Sequence, residues 1–201
     1  MEKFIIKRCI TSGSTSPERS VSHRTLVAIY SMKKIIVRPG EVFGIPLFMP
    51  KDDWKYRSKL TREDLNKDFV FGRVIRVTSD VLVEIFNMVG NAHTELNDII
   101  SSGVMFSPLL IFWDGVVKGR WIRLGQTENY DKYKDSNFAN LKMVFGPPED
   151  FRLKEFSTGK ETPITREEIE RNQYSCSVVW GPIRLENKII AKLATNKQQT
   201  D

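Results

Sequence analysis

Apolar and polar positions alternate over short runs along most of this 201-residue chain, and Gly and Pro punctuate the runs. That pattern predicts β-strands joined by tight turns. Residues 35–38, then Pro39-Gly40, then residues 41–47 read as two extended segments joined by a turn in which Pro fixes φ and Gly supplies freedom. Residues 69–77 and 81–87 flank Thr78-Ser79-Asp80 and predict a hairpin. Gly72, inside the first of these runs, marks a bulge or the close approach of another backbone. Residues 104–113, the Asp114-Gly115 pair, residues 116–118 and residues 120–124 continue the meander, with Asp-Gly between apolar runs as the strongest hairpin signal in the chain. Residues 141–145 and 174–180 complete the strands. The last run places Tyr174, Cys176, Val178 and Trp180 on one face, so Cys176 is expected to be a small buried hydrophobe.

Helix starts are explicit at a few points. In Ile164-Thr165-Arg166-Glu167-Glu168-Ile169, Thr165 is placed to cap, Glu168 to reach back, and Ile164 to pack on Ile169. Leu60-Thr61-Arg62-Glu63-Asp64-Leu65 repeats the arrangement with Asp64 in the Glu position. Asn91 is placed to cap a third helix whose Ala92, Leu96, Ile99 and Ile100 share a face. A fourth helix fits residues 183–193, and the polar residues 195–201 beyond it are expected to fray. The expected fold is α+β and strand-rich: an antiparallel β-sheet or partly open barrel with three or four short peripheral helices.

Composition narrows the class without naming a chemistry. The chain is 40% hydrophobic and 28% charged, which is ordinary for a globular domain. Its longest charge-free apolar stretch, residues 104–113, is about half of what a membrane-spanning helix requires. Half of the net charge of +6 sits in residues 1–31, where Lys3, Lys7, Arg8, Arg19 and Arg24 face only Glu2 and Glu18. That segment is Ser-rich, and Met32-Lys33-Lys34-Ile35-Ile36-Val37 after it reads as a protein start followed at once by a strand. Residues 1–31 are therefore expected to be a poorly ordered basic extension, residues 32–194 a single β-rich domain, and residues 195–201 a polar tail. Cys9 and Cys176 are the only cysteines and His23 and His93 the only histidines, so no soft-ligand metal site and no cofactor is expected, and both thiols are expected reduced in a cytoplasm.

Catalytic motifs are scarce. His93-Thr94-Glu95 matches the first half of a zinc deaminase signature, but no Pro-Cys-x-x-Cys follows, and His93 is expected on the surface. No Gly-x-Ser-x-Gly elbow and neither Gly-rich phosphate loop occurs. Glu186-Asn187-Lys188 is an acid-x-Lys pair of the nuclease kind without a partner Asp, and is expected to be a salt-bridged helix surface. The polar segments instead carry rings. Asp52-Asp53-Trp54-Lys55-Tyr56-Arg57 interleaves both signs of charge with two large aromatics, and Trp, Tyr and Arg are the residue types that dominate binding hot spots. Trp54 and Tyr56 read equally well as a lid folded onto the sheet. Trp113 and Asp114, Trp121 beside Arg120 and Arg123, and Tyr130 and Tyr133 in residues 126–135 add further candidate contacts.

Val37-Arg38-Pro39-Gly40-Glu41-Val42-Phe43-Gly44-Ile45-Pro46-Leu47, followed after a loop by Phe69-Val70-Phe71-Gly72-Arg73-Val74-Ile75, resembles the opening of the immunity protein 26 family. The resemblance is sharp over about forty residues and general in pattern beyond them. It departs from the family in residues 51–68, a longer connection, and in the segment before Met32. It implies a mostly β fold, no catalytic residues, and a function as an antitoxin that binds and neutralises a cognate toxin domain of a bacterial polymorphic toxin system. The partner surface would then draw on Asp52, Asp53, Trp54, Tyr56, Arg57, Trp113, Asp114, Tyr130 and Tyr133. The alternative is a small β-barrel-like module that binds nucleic acid through Arg73, Arg76, Arg120 and Arg123 with stacked rings, which a steep salt dependence would reveal. If residues 1–31 are an extension, their deletion is expected to leave the denaturant unfolding midpoint unchanged; a large drop would show that residues 26–30 join the sheet.

Overall fold

Phe-Val-Phe-Gly-Arg-Val-Ile-Arg-Val is apolar at almost every position, which suits a strand covered on both faces rather than one. In a computed structural model, which describes residues 36–49 and 60–198, this run is β2 (Phe69–Val77) near the centre of a six-stranded sheet. Around it lie β1 (Glu41–Pro46), β3 (Val81–Gly90), β4 (Val104–Ile111), β5 (Ile122–Gln126) and β9 (Val179–Trp180), in the order β5-β1-β2-β3-β4-β9. Every pair is antiparallel except β4 with β9, so the sheet is mixed and open rather than a barrel. The hairpin over residues 78–80 forms as expected. A second, three-stranded antiparallel sheet holds β6 (Lys142–Phe145), β7 (Arg152–Glu155) and β8 (Glu161–Pro163).

Alternation along the central strands sends their side chains to two separate cores. Phe43, Val70, Val74, Val83, Ile85 and Ile111 meet Leu185 and Ile189 of α5 (Pro182–Gln198), whose Leu193 completes a stripe at four-residue spacing. Trp113 lies edge-on to Phe43 at 5.2 Å and Trp121 stacks on it at 5.7 Å. The opposite face carries two clusters. Phe69, Phe71 and Phe86 pack with Ile99 of α1 (Leu96–Ser101), and Ile75 and Leu82 pack with Phe138, Met143 and Phe156.

Several local expectations give way to tertiary packing. Residues 36–38 form no strand, and the chain enters β1 directly from the Pro39-Gly40 turn, where Gly40 has φ of 83°. Asp114-Gly115 does not close a hairpin: it opens the single helical turn α2 (Asp114–Val117), and β5 crosses to the far edge to pair with β1. Gly115 is required by its neighbour, since a Cβ there would lie 2.3 Å from Cδ2 of Trp121. Gly72 does sit beside a register shift, but what crowds it is the ring of Phe43, 2.6 Å from where a Cβ would be. Of residues 174–180 only Val179 and Trp180 join a sheet strand, and Cys176 is exposed rather than buried, tied by an isolated bridge to Val144. Asn91 accepts from the His93 backbone N–H in a turn instead of capping a helix, and α1 begins later, at Leu96.

The Thr165 capping box forms as read, at the start of α4 (Arg166–Asn172). Thr61 and Asp64 exchange the same bonds, but Lys67 turns extended and the helix stops after one 3-10 turn, Glu63–Asn66. α5 runs on to Gln198, past the point where fraying was expected. The segment 1–31, residues 51–59 and residues 199–201 lie outside the described residues. Replacing Gly115 with Ala is expected to destabilise the protein by about 2 kcal/mol through overpacking. Gly159→Ala, where a Cβ would meet nothing but φ is 73°, serves as the comparison for backbone strain alone. Urea denaturation of both variants separates the effects.

Candidate functional site

Arg73 and Glu84 are directly opposite each other in the β2–β3 register, in the middle of strands that are otherwise apolar. Both are buried, at 1% and 3% exposure, and Arg73 Nε donates to Glu84 Oε1 at 2.7 Å. One carboxylate oxygen does not satisfy a guanidinium, so the chain that follows β5 wraps over the pair. There α3 (Lys132–Asp135) is started by Asp131, whose side chain accepts from the Tyr133 N–H. Arg73 Nη2 donates to the Asp135 carbonyl at 2.8 Å and to Ser136 Oγ at 3.3 Å. The Ser136 hydroxyl donates to Glu84 at 2.7 Å, which spends its only proton, so Tyr130 must be the donor in the 2.7 Å bond between Tyr130 and Ser136. The guanidinium also sits over the rings of Tyr130 and Phe86, at 4.8 and 5.4 Å. Burial pushes the Tyr130 phenol up to about 12, and the nearby Glu84 carboxylate acts in the same direction.

Above this pair opens a groove of about 890 Å³, with Arg73, Glu84 and Phe86 in its floor. Val104, Phe106, Ser107 and Pro108 of β4 form one wall; Lys134–Asn137 in sequence, the start of β6, and Asn172 to Ser175 supply the others. The outer edge of β4 pairs with β9 only at Leu110 and Ile111, so residues 104–109 present an edge with no strand partner among the described residues. Pro108 has no N–H to offer there, and two register shifts against β3 twist the strand. Those are devices that protect a sheet edge from strand addition.

The expected contact residues are scattered. Trp113 is 3% exposed and belongs to the core, as does Trp121, because both clamp Phe43. Asp114 is on the surface, paired with Lys118 at 3.1 Å. Tyr130 is a half-buried part of the Arg73 network, and Tyr133 is exposed with its ring edge-on to Phe138. None of these five lines the groove. Asp52, Asp53, Trp54, Tyr56 and Arg57 lie outside the described residues.

The four arginines of the nucleic-acid reading do not form an exposed cationic face. Arg73 and Arg120 are buried, Arg76 is half-buried over the Phe156 ring at 4.7 Å, and Arg123 pairs with the Glu41 carboxylate. Glu186 is not on a helix surface. It receives Arg120 at 2.6 and 2.7 Å and the Trp121 indole N–H at 2.8 Å, pinning α5 to the connection before β5. Reading residues one at a time missed both buried pairs; for Arg73 and Glu84 the available signal was a charge in the middle of each of two adjacent apolar runs.

His93 is exposed in its turn, and among the described residues no group of three His, Cys, Asp or Glu side chains could hold a metal. No helix among the described residues is long and apolar enough to cross a membrane. Compared with known proteins, the chain matches the family model described as Immunity protein 26 over residues 38–149, more than half its length. No curated protein and no solved structure matches it.

The Tyr130 phenol gives the network a pH signature. Below pH 10 the phenol is neutral in both folded and unfolded chains and adds no pH dependence. Between pH 10 and about 12 the unfolded phenol ionises first, the unfolded state binds fewer protons, and stability falls as pH rises. The denaturation midpoint is therefore expected to drop across that window in the wild type, and Tyr130→Phe is expected to flatten this part of the profile. An unchanged slope in the variant would assign the loss to other groups.

Proposed function

Because the chain belongs to the immunity protein 26 family, we propose that it is a non-catalytic antitoxin, which binds a cognate bacterial polymorphic toxin domain in the cytoplasm and neutralises it. The observation that carries this reading is the location of the groove: its floor and all of its walls except Asn172 to Ser175 lie inside the segment matched to the family. Neutralising a toxin calls for a rigid, shaped surface with buried polar groups at its base, and for no chemistry. The groove has that character. Its two buried charges hold each other in a fixed geometry, which supports shape rather than proton transfer, since a general acid or base needs a proton it can exchange with substrate. Trp54 and Tyr56 stay on sequence grounds as a second contact of the same interface.

Ser107 is exposed on the groove wall and points to a direct test. Filling the groove by Ser107→Trp is expected to weaken binding to the toxin domain encoded beside this chain by about 2 kcal/mol or more, roughly thirtyfold in Kd, while the melting temperature stays within about 2 °C of wild type. Titration calorimetry gives the affinity, and rescue of growth in cells producing the toxin domain gives the biological readout. Undiminished affinity with the groove filled would remove it from the interface.

A further inference from the structure

Three cations recur at four-residue spacing along α5: Arg184, Lys188 and Lys192. At 1.5 Å rise per residue they form a stripe about 12 Å long, running beside the buried stripe of Leu185, Ile189 and Leu193. Arg184 and Lys192 are exposed and Lys188 is half-buried. Arg184 stands over the Trp180 ring at 4.2 Å, and Lys188 over the same ring at 4.8 Å and over Phe106 at 5.1 Å. Phe106 is itself a wall residue of the groove, so Lys188, on the α5 face of the sheet, and the groove, on the other face, meet at the β4 edge. Elsewhere on the described surface Lys67, Lys118, Lys142 and Lys154 each have a carboxylate in ion-pair range, while Lys134, Lys160, Arg166 and Arg171 have none but do not line up as a stripe on one helix. The α5 cations have none among the described residues.

We infer that this stripe is the electrostatic half of the partner interface, and that the toxin surface it receives is acidic, carrying carboxylates that lie along α5 while a neighbouring segment enters the groove. The inference rests on the antitoxin reading above. Aromatic rings hold Arg184 and Lys188 close to the protein, so ordering these long side chains on binding costs less than it would for free ones. Uncompensated charge at a rim raises the association rate of an oppositely charged partner and fixes its orientation. A protein carboxylate fits better than nucleic acid, because Trp180, the ring that would stack a base, carries two cations.

The test compares the full chain with Arg184→Gln/Lys188→Gln/Lys192→Gln, using the toxin domain encoded beside it as partner and poly-L-glutamate and oligothymidylate as probes. In stopped-flow at low ionic strength the triple variant is expected to associate with the toxin domain at least about tenfold more slowly, and the gap is expected to close near 1 M salt, where screening acts over about 3 Å. The charge-preserving variant Arg184→Lys/Lys188→Arg/Lys192→Arg is expected to keep the wild-type rate, and poly-L-glutamate to compete where oligothymidylate does not. Equal rates and equal salt slopes for wild type and triple variant would overturn the stripe and leave the antitoxin reading standing. Absence of any binding to the toxin domain by the wild type would overturn that reading and this inference with it. Tighter binding of oligothymidylate than of poly-L-glutamate, lost in the triple variant, would replace the acidic protein by a nucleic acid. If the triple variant does not melt cooperatively, Lys192→Gln alone decides, with an expected slowing of about twofold at low salt and none at high salt.

Discussion

Arg73 and Glu84 occupy the middle of a sheet face whose neighbouring positions are Phe69, Phe71 and Ile75 on one strand and Leu82 and Phe86 on the next. A guanidinium and a carboxylate at that depth lose their water, and the loss is tolerable only if both are paired and their remaining polar atoms are bonded. That requirement organises everything above the face. It divides the apolar residues into two clusters, one covered by α1 and the other by Phe138, Met143 and Phe156. It also brings the segment carrying Tyr130, Asp135 and Ser136 down onto the strands. The groove lies between these two packed regions because the centre is filled by a hydrogen-bonded pair and not by another apolar layer.

The same physics acts on the opposite face. Arg120 and Glu186 come from segments sixty-six residues apart in sequence, and the Trp121 indole shares the Glu186 carboxylate. Removing one charge from such a pair costs on the order of 3–5 kcal/mol, whereas replacing both by apolar groups can be neutral. The two pairs therefore contribute less to net stability than to position: one sets where the 130–136 segment rests, the other where α5 rests. α5 carries a stripe of three cations without ion pairs among the described residues, so the register of Glu186 under Arg120 decides where Arg184 and Lys188 stand relative to β4.

What was legible in the sequence was local. The hairpin of β2 and β3, the Thr165 capping box and the apolar stripe of α5 follow from periodicity and capping chemistry that depend on near neighbours. What was not legible depended on residues far away. Asp114-Gly115 has the chemistry of a hairpin turn, yet its glycine answers to the Trp121 ring, and the strand after it is claimed by β1. Cys176 alternates with Val178 and Trp180 as a buried strand would, but an isolated bridge to the second sheet leaves it exposed. β7 and β8 are short and rich in charge, so no periodicity marks them. The candidate site suffered most. Aromatic residues in polar surroundings looked like surface anchors, whereas Trp113 and Trp121 are core residues, and the groove is made by β4, by the 134–143 segment and by residues 172–175, which no sequence motif connects.

The two halves of the inferred interface differ in where they sit relative to the family. The groove lies almost wholly within residues 38–149, while α5 and its cations lie beyond them. Shape and charge do different work in recognition. A groove whose floor is locked by a buried pair discriminates by fit and by the burial of apolar surface, terms that govern how long a complex lasts. Rim charges act earlier, on encounter and orientation, and they reject surfaces of like sign. With the edge of β4 guarded by Pro108 and its register shifts, backbone pairing adds nothing to selectivity there, so on the proposed antitoxin reading discrimination between partners falls to side chains. On the inferred reading the side chains placed to exert it are the cations of α5, which lack counter-charges among the described residues; Arg184 and Lys188 are held over Trp180, and Lys188 reaches the groove wall at Phe106.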